Sequence, residues 1–257
     1  MKTKSFFALM LGLLLVLGAC KKEQEPDSNG NIQHVEQDET PSFDGDEGTV
    51  GGHDWVNLGL PSGTLWATCN IGADSPGMFG DYFAWGEVIP KLSYRWETYR
   101  YGTADNQLTK YCSNSDYGKN SYIDARFVLE TIDDAAMANW GKYWRMPTQA
   151  EVAELFNYCL YEWTTYSGSY GCRLVGRSNG RSIFLPAAGL CVYEDMSAHA
   201  GSWGLYWTSS LSKEHYENPC NAKWLYVSMG SGGGVDVMYT SDGVRYQGLS
   251  VRPVVNR

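Results

Sequence analysis

Seven cysteines and four histidines are the groups in this 257-residue chain that could serve as nucleophiles, redox couples or metal ligands. Their spacing supports none of these roles. No two cysteines form a Cys-x-x-Cys pair, the arrangement that suits zinc binding or thiol exchange. His34 lies in an acidic stretch, His53 at the edge of the region that can fold, and His199 and His215 in loop-like segments. None stands at ligand spacing from another His, Cys or Asp on a periodic element. Asp44-Gly45-Asp46-Glu47 is acidic but lacks the spacing of an EF-hand loop, and a solvated linker accounts for it. The chain is therefore expected to use no catalytic residue, no metal and no cofactor.

Cys20 is the exception, because its chemistry is set by what precedes it. Lys2 and Lys4 lead into an uncharged apolar run from Phe6 to Leu17, too short and too close to the start for an ordinary membrane span. Residues 1–19 read as a secretory signal. The run ends in Leu17-Gly18-Ala19-Cys20, which resembles the bacterial lipobox: small residues fit the lipoprotein signal peptidase, and the thiol receives a diacylglyceryl group. Each buried methylene of such a lipid contributes about 0.8 kcal/mol. The expected partner of Cys20 is therefore a membrane, and the expected location is the cell envelope, as an outer-membrane lipoprotein. The acid-rich stretch after Lys22 loosely resembles surface-export signals and leaves both faces of that membrane open.

Residues 20–52 are polar and acidic and read as a disordered tether, since they bury too little apolar surface to offset chain entropy. Lys21 and Lys22 face nine carboxylates there, so most of the formal charge of −9 belongs to this stretch. The remainder is nearly balanced, and no Lys/Arg-rich face argues for nucleic acid. Residues 53–257 are long enough for one well-cored domain and hold all of the 10 Trp and 18 Tyr. Six cysteines remain in it: Cys69, Cys112, Cys159, Cys172, Cys191 and Cys220. They allow fifteen complete pairings, and no spacing singles one out.

The elements that position these residues begin with a helix. Thr148 followed by Glu151 forms a capping box, and Pro147 keeps the chain extended just before it. Val152, Leu155, Phe156, Cys159 and Leu160 then share one helical face, with β structure expected only after Trp163. A shorter helix is expected over 131–140, with Asp133 and Asp134 in its first turn and Gly141 past its end. Residues 56–69 read as an opening hairpin around Pro61-Ser62-Gly63, and 91–120 as loop. Cys172-Arg173-Leu174-Val175 and Ile183-Phe184-Leu185-Pro186 flank Asn179-Gly180, a tight-turn signal. Further strands are expected over 204–210, 222–229, 234–239 and 248–255. Two helices followed by antiparallel strands argue an α+β class.

Several ordered blocks carry a family resemblance. Leu60-Pro61-Ser62-Gly63-Thr64-Leu65-Trp66-Ala67, Gly80-Asp81-Tyr82-Phe83-Ala84-Trp85-Gly86-Glu87, Trp144-Arg145-Met146-Pro147-Thr148, Leu185-Pro186-Ala187-Ala188-Gly189, Tyr206-Trp207-Thr208-Ser209-Ser210 and Val251-Arg252-Pro253-Val254 are among them. Over residues 55–255 the chain resembles the Fibrobacter succinogenes major paralogous domain, a family abundant in Bacteroidota lipoproteins and related to C-type-lectin-like groups. The resemblance implies a C-type-lectin-like fold, with two helices beside a twisted antiparallel sheet and long irregular loops. It implies no established activity. Arg145-Met146-Pro147-Thr148 with Glu151 is also similar to a block in formylglycine-generating enzymes, but the reactive cysteine pair of those enzymes has no match here. The calcium-dependent lectin signature is absent as well.

A non-catalytic recognition module is the expected function, with a glycan or a partner protein as ligand. Residues 199–246 are dense in Tyr, Trp, Asn, Ser and Gly, the types that favour adaptable contact surfaces. Tyr216, Tyr239 and Tyr246, beside turns, are the expected ligand contacts. Trp207, Trp224 and Tyr226 are expected to be core. Tyr206-Trp207-Thr208-Ser209-Ser210 and Arg245-Tyr246-Gln247-Gly248-Leu249-Ser250-Val251-Arg252 also resemble the C-terminal segments of proteins diversified by retroelements, an alternative route to the same binding role.

Overall fold

The computed structural model describes residues 41–212, 218–230, 234–238 and 241–256. Cys20, Tyr216 and Tyr239 lie outside the described residues.

The capped helix forms where its spacing predicts. The Glu151 N–H donates to Thr148 Oγ1 at 3.3 Å and the Thr148 N–H to Glu151 Oε2 at 2.8 Å, opening α2 (Gln149–Tyr158). Arg145 grips the same carboxylate through both guanidinium nitrogens, at 2.8 and 2.5 Å. Burial pushes the Glu151 carboxyl up, yet the Arg145 and Thr148 hydrogen bonds prevail and hold it below its ordinary value. Val152 and Leu155 are buried, while Phe156 is only half-buried.

The helix stops earlier than expected. β5 (Cys159–Tyr166) begins at once and pairs with β6 (Ser169–Gly176). Residues 160–166 are aromatic and threonine-rich, a composition that suits a pleated surface. Ser167 and Gly168 join the strands with φ of 49° and 86°, the left-handed pair that a tight hairpin requires. Cys159 and Leu160 therefore point to opposite sides of a sheet, one buried and one 52% exposed, instead of sharing a helical face. β7 (Ser182–Pro186) completes this three-stranded sheet. Its connection to β6 is longer than a two-residue turn. Only Gly180 takes positive φ, and Asn179 Nδ2 instead donates to Asn57 O at 2.9 Å.

The expected tether also ends sooner than residue 52. β1 (Glu47–Val50) pairs with β2 (His53–Asn57), Phe43 packs against Trp55 at 6.1 Å, and the compact unit spans Pro41–Arg257. Asp46 and Glu47 pair with Arg181 at 3.2 and 3.1 Å, so these carboxylates serve an edge strand rather than a linker. Composition misjudges the stretch because an edge strand needs to bury only some of its residues, here Val50.

β3 (Leu65–Ala67) pairs with β2 in the expected opening hairpin, and the sheet order is β1-β2-β3-β14-β4. β4 is Trp144–Arg145 and β14 is Val254–Val255, so the two ends of the domain meet in one sheet. Between β3 and β4 the chain is irregular apart from short turns, until α1 (Ala135–Trp140). Asp134 caps α1 by accepting from the N–H groups of Ala136 and Met137, while Asp133 turns inward to Tyr101, Tyr111 and Lys110. The expected first-turn pair thus divides into a cap and a buried anchor.

β8 (Leu190–Val192) and β9 (Asp195–Ala198) form a small hairpin. β10 (Trp203–Leu211) pairs with β11 (Asn221–Met229), which also pairs with β12 (Val235–Met238) and β13 (Asp242–Val244). Residues 248–250 make isolated bridges to Cys191, Phe83 and Tyr206 rather than the longer strand expected there. The β10–β11 pair separates two cores. Leu205 and Trp207 pack with Phe83, Trp85 and Val251 on one side, and Tyr206, Leu225 and Val227 with Trp66, Val152 and Leu155 on the other. The class is α+β, as the sequence implies. Among the described residues no helix is long and apolar enough to cross a membrane.

Candidate binding site

Side chains alternate across a strand, so Trp224, Tyr226 and Ser228 project from one face of β11. Their cross-strand partners Trp207, Leu205 and Trp203 share that face of β10. Core covers this face unevenly. Trp207, Leu205 and Ser228 are buried, while Trp203, Trp224 and Tyr226 are half-buried, Trp203 standing at the start of β10. There the rings order one another. Trp203 meets Tyr226 edge-on at 5.7 Å and 67°, and the exposed His199 imidazole lies flat on Trp203 at 3.6 Å and 16°.

Two clefts share the Trp203–Tyr226 wall. The first, about 530 Å³, is lined by Trp163, Tyr170, Ser202, Ser228 and Asp236 in addition to that pair. Trp163 and Tyr170 come from β5 and β6, and Asp236 stands opposite Ser228 across β11 and β12. The second, about 470 Å³, is lined by Leu190, Val192, Ala198, Leu205, Trp224, His199 and Gln247 along with the shared wall. The first therefore presents aromatic faces with hydroxyls and one carboxylate, and the second is mainly apolar. Apolar and aromatic walls with a few placed polar groups are the usual lining of a small-molecule site.

The cysteines and His53 lie outside both clefts. All six described cysteines are free. Burial pushes the Cys159 thiol up to about 11 and those of Cys172, Cys191 and Cys220 up to about 12, so they stay protonated and weakly nucleophilic at neutral pH. His53 stacks on Trp140 at 3.7 Å, and burial lowers its pKa. Gly176-Arg177-Ser178-Asn179-Gly180 has the Gly-x-Ser-x-Gly spacing, contrary to the expectation that the sequence holds no such elbow. It forms the turn between two strands, not the strand-to-helix elbow of a hydrolase, and the Ser178 hydroxyl donates to Gly59 O at 2.9 Å. Among the described residues no group of His, Cys, Asp and Glu is gathered as a metal site.

No family model, curated protein or solved structure matches the chain.

Of the expected ligand contacts, Tyr246 is described and is half-buried in a different aromatic group. It packs on Trp96 at 5.2 Å and beside Tyr193 at 6.5 Å, while its neighbour Gln247 reaches the second cleft. Tyr216 and Tyr239, as noted, fall outside the described residues. Trp207 is core as expected, whereas Trp224 and Tyr226 are half-buried and line the clefts. The sequence reading misses Trp163, Tyr170, Trp203 and Asp236. The segment likened to diversified proteins is mostly interior, since Arg245, Leu249, Ser250, Val251 and Arg252 are buried.

Proposed function

We propose that this chain is a non-catalytic recognition protein of the cell envelope, anchored by lipid on Cys20, whose folded unit binds a glycan. The observation that carries the reading is the first cleft, where Trp203, Tyr226, Trp163 and Tyr170 surround Ser202, Ser228 and Asp236. A sugar ring offers an apolar face and a rim of hydroxyls. Aromatic rings accept the face, and serine and carboxylate oxygens accept the hydroxyl protons. A cleft of about 530 Å³ has the scale of a small-ligand site, which favours a glycan over the broad contact of a protein partner.

The C-type-lectin-like fold is part of the proposal. Terminal strands paired in one sheet, two helices and the long irregular stretch between β3 and α1 support it. The blocks that carry the family resemblance are interior: Leu65, Trp66, Phe83, Trp85, Trp144, Leu185, Trp207 and Arg252 are all buried. Trp163, Tyr170, Trp203, Tyr226 and Asp236 fall outside those blocks. Residues that build the fold and residues that meet ligand are thus separate sets, as expected of a scaffold that takes varied ligands.

A glycan array probed with the Cys20→Ala chain tests the binding. Retention of neutral oligosaccharides, with loss on Trp203→Ala, is expected; an array with no bound glycan would refute the reading. The same Cys20→Ala change should release the protein from the membrane fraction, and continued membrane association would refute the anchor.

A further inference from the structure

We infer that the glycan carries an apolar aglycone, which occupies the second cleft while the sugar occupies the first. The inference rests on the glycan reading and extends it to a site with different chemistry. Trp203 and Tyr226 line both clefts, so a ligand held against that wall on one side has its substituent within reach of the other. His199 lines the second cleft and covers one face of the Trp203 indole at 3.6 Å, while Tyr226 meets the same indole edge-on at 5.7 Å.

The linings divide by chemistry. Asp236 and two serines belong to the first cleft. Leu190, Val192, Ala198, Leu205 and Trp224 belong to the second, whose described lining includes no carboxylate, lysine or arginine. A free monosaccharide would leave this apolar space of about 470 Å³ unfilled. A hydrocarbon group would bury surface there and gain roughly four-fold in affinity per methylene fully removed from water. The single carboxylate of the described lining also disfavours an anionic sugar in the first cleft. The ligand class is therefore a neutral glycoside with an aliphatic or aromatic aglycone.

Isothermal titration of the Cys20→Ala chain with methyl, octyl and phenyl glycosides of glucose, galactose, mannose and N-acetylglucosamine, all below micellar concentrations, tests this. For each sugar whose methyl glycoside binds, the octyl or phenyl form is expected to bind at least ten-fold tighter, and the stronger of the two identifies an aliphatic or an aromatic aglycone. Ala198→Phe, which narrows the second cleft, should abolish that gain, so that methyl and substituted glycosides bind alike; Val192→Trp serves the same purpose if the first variant does not fold. Methyl and substituted glycosides of equal affinity would overturn the inference and leave the glycan reading standing. Octanol binding as tightly as the octyl glycosides, or no binding by any probe, would overturn both.

Discussion

Trp207 and Trp203 project from the same face of the same strand, yet only one belongs to the interior. Trp207 is fully buried, with its indole N–H donating to Phe83 O at 2.8 Å. Nearby, Trp85 Nε1 donates to Thr208 O at 2.8 Å, and the buried Arg245 guanidinium is satisfied by Tyr99 Oη and the carbonyls of Lys110, Tyr111 and Pro219. A few residues away, Trp203 is half-buried and its ring neighbours are His199 and Tyr226. Trp207 and Trp85 hold the fold together, whereas Trp203 keeps part of its ring uncovered and, in the proposed function, presents it to a ligand. Residue type does not separate the two roles. Cover does.

Substitutions should separate the two residues in stability, beginning with the covered one. Trp207→Ala removes a fully buried indole and is expected to destabilise by about 3–5 kcal/mol, read by denaturant unfolding. A loss as small as that of Trp203→Ala would erase the distinction. Asp133→Asn, in the same interior, weakens charged hydrogen bonds from Lys110, Tyr101 and Tyr111 and should cost about 1.5–3 kcal/mol.

Asp133 also gives the fold an acid dependence. Burial raises its carboxyl, but the Lys110, Tyr101 and Tyr111 hydrogen bonds prevail and leave it below its ordinary value. A carboxyl depressed in the folded state contributes stability above its unfolded pKa and loses it as pH falls through the folded one. Melting temperature should therefore drop as pH falls below about 4, the ordinary carboxylate range, and Asp133→Asn should flatten that drop. Asp134, raised by burial, works in the opposite sense, so the slope left in the variant reports the other groups. Thr148→Ala, which removes the α2 cap, is expected to cost about 1 kcal/mol. Trp203→Ala should cost about 1 kcal/mol or less, because its ring is only partly covered.

What was legible in the sequence follows the same divide. The Thr148 cap and the 56–69 hairpin are local, and local spacing predicts both. The end of α2 at Tyr158 was not legible, since Val152, Leu155, Cys159 and Leu160 fit a helical period whether or not the chain then enters a sheet. Only pairing with β6, set by the positive φ of Ser167 and Gly168, decides it. β1 was hidden for a related reason: Asp46 and Glu47 look solvated until Arg181, far along the chain, comes to face them. The clefts were the least legible. Trp163, Trp203 and Asp236 lie on three different strands, and the alternation of Trp224 and Tyr226 reads equally as core until the cover over each ring is known.

Binding and stability measured on the same two variants separate these roles most directly. The tightest-binding neutral oligosaccharide from the array is titrated calorimetrically against the Cys20→Ala chain, alone and with Trp203→Ala or Tyr226→Ala, and each protein is melted in parallel. Loss of a stacked ring should lower affinity at least about ten-fold while melting stays within a few degrees of the parent. Unchanged affinity in both well-folded variants would contradict a sugar site on the Trp203–Tyr226 wall.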